Sequence, residues 1–331
     1  MRISTKLIPA LVVFLIGLPA LAQTCLGRDE MPAQSKSGIE SAAQQIYEQA
    51  ARGDAAAIRA NAIPSLQSSF NGVAGAVTDH KTAFAGAHAQ IRTSFLLDTG
   101  ATPSPDGQFY CGVFGVNGMA ANGAEFALPG LPAGKYAVVI QDITGGKAPY
   151  ALGTVLQDVG VWKLAGFSIR PESAIGHDGI WYLERARDYK KQGQSHNAWF
   201  YYTTSWDLMA PVTYMNTRLL SKISQELSDV KLNDVPSGGK PVTFSANGKT
   251  YTITEMNVFP TDKSLDLSLK YSVPSTADFN ATIADAQGLA KAFAAQYPEL
   301  KDAFTNLWAH AVDANGGDVA GLVILKPAAK P

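Results

Sequence analysis

The sequence predicts an α+β protein built from more than one domain. Helical periodicity governs residues 38–91, and strand-like apolar runs broken by Gly, Pro and Asn-Gly govern residues 95–169. The same order, helices and then strands, recurs after residue 176. At 331 residues the chain also exceeds the roughly 250 at which single cores stop growing. With 46% hydrophobic and 17% charged residues it is neither disordered nor fibrous. A formal net charge of -1 supplies no basic field for nucleic acid.

The first residues read as an address. Arg2 and Lys6 precede the apolar run Leu7 to Leu18, which is too short for a spanning helix, and Ala20-Leu21-Ala22 follows with small residues at a cleavage site. Export with cleavage after Ala22 is expected, leaving Gln23 as the mature N-terminus and no transmembrane span; an uncleaved anchor is the alternative. Losing Arg2 and Lys6 leaves 25 of the 27 basic residues against 28 acidic ones, a mature charge of about -3. Cys25 invites a lipid anchor. However, Ala22-Gln23-Thr24 puts a large polar residue where bacterial lipoproteins carry a small one, which argues against lipidation. The other cysteine is Cys111, so in an oxidising compartment Cys25–Cys111 is the only intramolecular disulfide open to the chain; two unpaired structural thiols are the alternative.

Residues 23–37 are polar and without period, and read as a flexible tether. From Gly38, the residues Ile39, Ala42, Ala43, Ile46, Tyr47 and Ala50 recur at helical spacing until Gly53 supplies a stop. Pro64 fits the first turn of a second helix carrying Leu66 and Phe70, and a third helical stretch covers Val73–Ile91. Strands are expected at 95–97, 109–114, 126–128, 136–140, 151–156 and 161–169.

The last of these, Val161-Trp162-Lys163-Leu164-Ala165-Gly166-Phe167-Ser168-Ile169, resembles the closing strand of NTF2-like (cystatin-like) domains, as does the order of opening helices followed by a sheet. The resemblance covers residues 38–171. It implies a helix lying across a strongly bent antiparallel sheet and a conical cavity, in which some members gather Asp/His pairs for catalysis. No family catalytic motif is matched residue by residue. Phe126 to Tyr136 is similar to a turn and strand of transthyretin-like β domains, but without seven-strand spacing around it the segment reads as turn chemistry.

Pro171 to Gly176 marks a boundary. In the connector, 172–228, the residues Tyr182, Ala186, Tyr189, Gly193, Ala198 and Tyr202 are similar to one tetratricopeptide unit, with departures at Arg185 and Ser205. A solenoid needs about three units, so a single αα hairpin is expected, followed by a helix over Val212–Leu227. From 229 the period changes again. Asn247-Gly248 joins two alternating runs, and Leu265, Leu267, Leu269, Tyr271 and Val273 alternate with polar residues as on a half-wet sheet. Ala277–Ala295 reads as a helix capped at Thr276 or Asp278, and Leu307–Val312 and Val319–Leu325 form a last hairpin. The order is β-β-β-α-β-β, a small α+β domain over 229–331.

Candidate chemistry is sparse. His80 and His88 are eight apart on an expected helix, about 12 Å along its axis and too far for one metal. His177-Asp178 reads as a turn in which Asp178 caps the next helix, and Ser195-His196 as the loop of the αα hairpin; His310 belongs to the last hairpin. The triplets Gly145–Lys147 and Gly238–Lys240 lack the surroundings of a phosphate loop and are turns. No cofactor or metal is indicated.

The sharpest feature is nine aromatics within the 34 positions from Trp181 to Tyr214. Trp199–Tyr202 cover a full helical turn, so some must face another domain, a ligand or solvent. An interdomain core holding three pieces of the chain together is the first reading of the cluster and a binding surface the second, under which Trp181, Trp199, Tyr201 and Trp206 are the candidate partner-binding residues. The function expected is that of an exported, non-catalytic binding or accessory protein, periplasmic or extracellular, whose partner is a protein or small ligand. An enzyme using the NTF2-like cavity and a structural module of an envelope assembly are the alternatives.

Overall fold

The computed structural model describes residues 24–114, 118–261 and 263–326, and the expected leader, with the cleavage expected after Ala22, lies outside them. The fold class is α+β, and no helix among the described residues is long and apolar enough to cross a membrane.

The N-terminal unit begins with strand β1 (Thr24–Gly27) and helices α1 (Ala33–Arg52), α2 (Ala55–Ala60), α3 (Pro64–Ser68) and α4 (Asn71–His80). Strands β2 (His88–Asp98), β3 (Gln108–Phe114), β4 (Gly118–Ala127), β5 (Lys135–Thr144), β6 (Tyr150–Asp158) and β7 (Trp162–Pro171) follow. The main sheet is antiparallel in the order β1-β2-β5-β6-β7, while β3 and β4 leave the meander as a hairpin. Alternation then fills both faces. Leu96, Ala137, Val139, Leu152 and Leu164 meet Ile39, Ala43, Ile46, Tyr47 and Ala50 of α1. Phe95, Leu97, Tyr136, Val138 and Ile140 meet Phe109, Cys111 and Phe126 of the β3–β4 hairpin. A sheet covered on both faces needs near-continuous apolar strands, and β5 runs Tyr136 to Gln141 without an exposed side chain.

Three sequence expectations need correction here. The segment 23–37 is not a tether from end to end. Residues 24–27 pair with 95–98 of β2, and α1 starts at Ala33 rather than Gly38. Strand pairing and the disulfide hold this end where composition alone suggested slack. The Cys25–Cys111 disulfide is present, with Cα atoms 5.1 Å apart, closing a separation of 86 residues worth about 4–5 kcal/mol on the entropic account. A Cys25 sulfur bonded in this way has no valence for a lipid thioether. Second, the helix expected over Val73–Ile91 stops at His80, and His88 opens β2. Sheet pairing overrides the weak apolar period, and Gly86 at φ 76° provides the turn.

After the tight pair β8 (Ser173–Ala174) and β9 (His177–Asp178) come α5 (Gly179–Lys191) and α6 (Ser195–Met209), the expected antiparallel hairpin. The third correction follows. The helix expected from Val212 starts only at Arg218, as α7 (Arg218–Ser228), capped by the Thr217 hydroxyl. The intervening Val212 is buried against the main sheet, and β10 (Met215–Asn216) pairs with β4, so tertiary demands claim these residues first.

The C-terminal unit holds β11 (Val242–Ala246), β12 (Lys249–Pro260), β13 (Leu265–Ser272), α8 (Phe279–Gln296), the short α9 (Leu300–Ala303), β14 (Asn306–Val312) and β15 (Asp318–Ile324). The sheet order follows the chain, with β13 and β14 parallel because α8 crosses between them. Asn247 and Gly248 take positive φ at the β11–β12 turn, and Asp278 caps α8 by accepting from Ala281 N–H. The connector does not stand apart from this unit. Tyr182, Phe200 and Tyr201 share one apolar cluster with Leu267, Phe293 and Phe304.

Candidate functional site

The packing of α6 divides its aromatics by face. Phe200, Tyr201 and Tyr202 are buried, whereas Trp199, Thr203 and Trp206 are half-buried and Asp207 is exposed. Residues four and seven apart lie on one face of a helix, so these four form a single outward stripe. Trp199 and Trp206 are two turns apart, about 10 Å along the axis at 1.5 Å per residue. Tyr201 points the other way, 5% exposed, and its hydroxyl donates to Ala303 O at 3.1 Å. Burial among Tyr189 and Tyr182 drives its phenol far above the usual range.

The stripe joins two cavities. The first, of about 540 Å³, opens where three pieces of the chain meet: Arg170 and Pro171 at the end of β7, Trp199, Thr203 and Asp207 of α6, and Asn257 and Phe259 of β12. Arg170 Nη2 donates to Asp207 Oδ1 at 3.0 Å and to Asp207 O at 3.1 Å, while its buried Nε has no protein partner. Phe259, 56% exposed, forms the rim.

The second cavity, of about 500 Å³, lies at the other end of the stripe. Trp206 forms one wall, Gln108 and Glu125 of the β3–β4 hairpin another, and Ser221 and Ser224 of α7 a third. Thr213, Tyr214 and Asn216 of the α6–α7 connection close it. Asn216 Nδ2 donates to Glu125 Oε2 at 3.2 Å and to Ser221 Oγ at 2.8 Å. The Tyr214 hydroxyl is buried without a protein partner, and burial raises its pKa well above the phenol range.

Trp181 belongs to neither cavity. It stacks on His177 with ring centroids 3.8 Å apart, beside a third opening that includes Lys147 of the Gly-Gly-Lys turn. Asp178 caps α5 by accepting from Trp181 N–H at 2.9 Å. Thus Trp199 and Trp206 are brought together, while Trp181 and Tyr201 are not with them.

The histidines are scattered. His80 contacts Ala76 O, His88 contacts Thr144 Oγ1 and His310 contacts Asp318. His196 is not in a loop but in the first turn of α6, buried between two carboxylates. Its Nε2 lies 3.0 Å from Asp234 Oδ2 and its Nδ1 3.1 Å from Glu299 Oε1. No group of three or more metal-ligating side chains occurs among the described residues. Where a catalytic cone would lie, between α1 and the main sheet, apolar side chains meet, and Glu40 is engaged by Arg28 and Ser94.

Sequence reasoning singled out Trp199 and Trp206 as candidates, counted Tyr214 only as one of the nine aromatics, and did not name Glu125, Asn216, Arg170, Asp207 or Phe259. The i, i+4, i+7 spacing of Trp199, Thr203 and Trp206 was a usable signal; nothing local marks the others. Compared with family models, curated proteins and solved structures, the chain matches none of them.

Proposed function

We propose that the chain is an exported, non-catalytic binding protein of the cell envelope, and that its ligand lies along the outer stripe of α6. The NTF2-like resemblance of residues 38–171 and the tetratricopeptide-like hairpin belong to this reading as scaffolds for that face. The observation that carries it is the pair Trp199 and Trp206, left half-buried on one helix face between two cavities while their neighbours pack inward. The leader sequence and the Cys25–Cys111 disulfide support export. The Arg170–Asp207 pair gives the first cavity a polar anchor beside the aromatic ring.

The chain contains five tryptophans, which makes the test internal to one molecule. Residues 23–331 are exposed to hydroxyl radicals with and without the cell-envelope fraction of the organism that encodes them, and oxidation is read at each indole. Trp199 and Trp206 are expected to be protected while Trp162 and Trp308 oxidise unchanged. Protection absent, or spread equally over all four, rejects the placement.

A further inference from the structure

We infer that the first cavity takes an extended peptide segment of a partner protein, added as a strand to the free edge of β12. This deepens the binding reading above and rests on it. β11 pairs with β12 only over residues 249–253, whereas β13 covers the other side from 253 to 260. Residues 254–260 therefore have a strand on one side alone. Residues 256–260 all line the cavity. Consecutive side chains of a strand point to opposite faces, so the cavity meets β12 edge-on. β7 ends its own sheet, and residues 169–171 line the same cavity in the same consecutive way. Two unpaired edges thus flank one space, with α6 as its floor.

The phase of each ladder fixes which backbone groups face the space. Thr261 N–H donates to Ser264 O at 2.8 Å, so that pair is hydrogen-bonded, and alternate pairs back along the hairpin are too. Asn257 and Phe259 then bond β13, while Val258 turns its N–H and C=O to the free edge and Pro260 its C=O. The Leu265 carbonyl, opposite Pro260, accepts from Thr305 N–H instead, as this phase requires. Pro260 fits because a position facing the free edge needs no N–H. On β7, Glu172 N–H donates to Pro149 O at 3.1 Å, and the same alternation turns Ile169 outward. Among the described residues no backbone hydrogen bond reaches these outward groups. Val258 and Ile169 are half-buried and Pro260 is exposed, so the edge is open. An extended main chain repeats donor and acceptor at a strand's own spacing, which makes it the ligand such an edge selects. Its alternate side chains lie over Trp199 and Leu208 of α6, favouring apolar residues at every second position. Walls formed by β7, β12 and α6 admit one strand and exclude the broad edge of a folded sheet.

The test reads amide hydrogen exchange on residues 23–331, alone and with the cell-envelope fraction of the encoding organism, beside the indole footprint. Alone, Val258 is expected to exchange freely and Asn257 and Phe259 slowly; a slow Val258 means a closed edge and overturns the inference. With the fraction, Val258 is expected to slow about ten-fold relative to Asn257 and Phe259, the gain of one main-chain hydrogen bond. Protected Trp199 and Trp206 with Val258 still exchanging freely overturn strand addition and leave the binding face standing on side-chain contacts. Unprotected indoles sink both readings together. Slowing produced by concentrating the protein alone makes the occupant a second copy, which overturns the partner assignment. Val258→Pro removes the outward N–H and no bond to β13. This variant is expected to need about ten-fold more fraction for half-protection of Trp199, with Trp308 oxidation unchanged as the sign of an intact sheet. A half-protection point that does not move overturns the inference. If the sheet is disturbed, the exchange of Val258 in the unaltered chain decides.

Discussion

Single positions in this chain are decided by what lies within a few ångströms of them, and two illustrate how differently legible that can be. Asn247 and Gly248 announce their turn from the sequence alone, because positive φ is a local demand that these residue types meet most cheaply. Gly321 announces nothing. It sits mid-strand in β15, where a Cβ would intrude on the backbone of Ala286 and Gln287 in α8. The helix can rest that close to the sheet only over a bare Cα. Gly321→Ala is therefore expected to lower stability by about 1–3 kcal/mol, read as a drop in the denaturation midpoint at unchanged slope. Tyr214 shows the opposite limit. Its sequence neighbours describe a Pro-broken connection, and only packing against the cluster between the main sheet and the β3–β4 hairpin buries its hydroxyl.

Elements were legible in proportion to how far their own residues determined them. Asp278 and the alternation in β13 sufficed for α8 and β13. The helix expected from Val212 failed because its first residues serve the main sheet and β4, which the period could not register. The joint between α6 and the C-terminal unit was invisible for the same reason. His196 meets Asp234 and Glu299, partners 38 and 103 positions away, and its ring lies tilted at 45° against Tyr297 with centroids 4.1 Å apart. Both ring nitrogens face carboxylate oxygens. The Tyr297 hydroxyl adds a 2.5 Å bond to Asp234. His196→Ala leaves two carboxylates at this joint without their common partner. A loss of about 2–3 kcal/mol is expected in chemical denaturation, with α5 and α6 gaining hydrogen exchange ahead of the main sheet.

Over the whole molecule the carboxylates set the acid limit. Hydrogen bonds from Arg187 hold Glu226 below the usual carboxyl range, and bonds from Thr276 and then the Gly317 N–H bring Asp313 to about 2. Burial works to raise Asp234, but the bonds from Tyr297 and His196 outweigh it and its pKa is lowered. In each case the folded protein binds its proton at lower pH than the unfolded chain. The stability these groups contribute is thus complete above about pH 5, beyond the unfolded carboxyl values, and drains as the pH falls toward their folded values. Melting temperature is expected to hold from neutrality to about pH 5 and then fall steadily; a flat profile to pH 2 contradicts the assignment. The Cys25–Cys111 bond has a consequence of another kind. It ties the first strand of the main sheet to the hairpin packed on that sheet's opposite face. A pull on the amino end therefore loads β1 in shear along β2 and, through the sulfurs, draws on the second layer at once. A load on β1 is thus shared between the two layers instead of peeling the edge strand away alone.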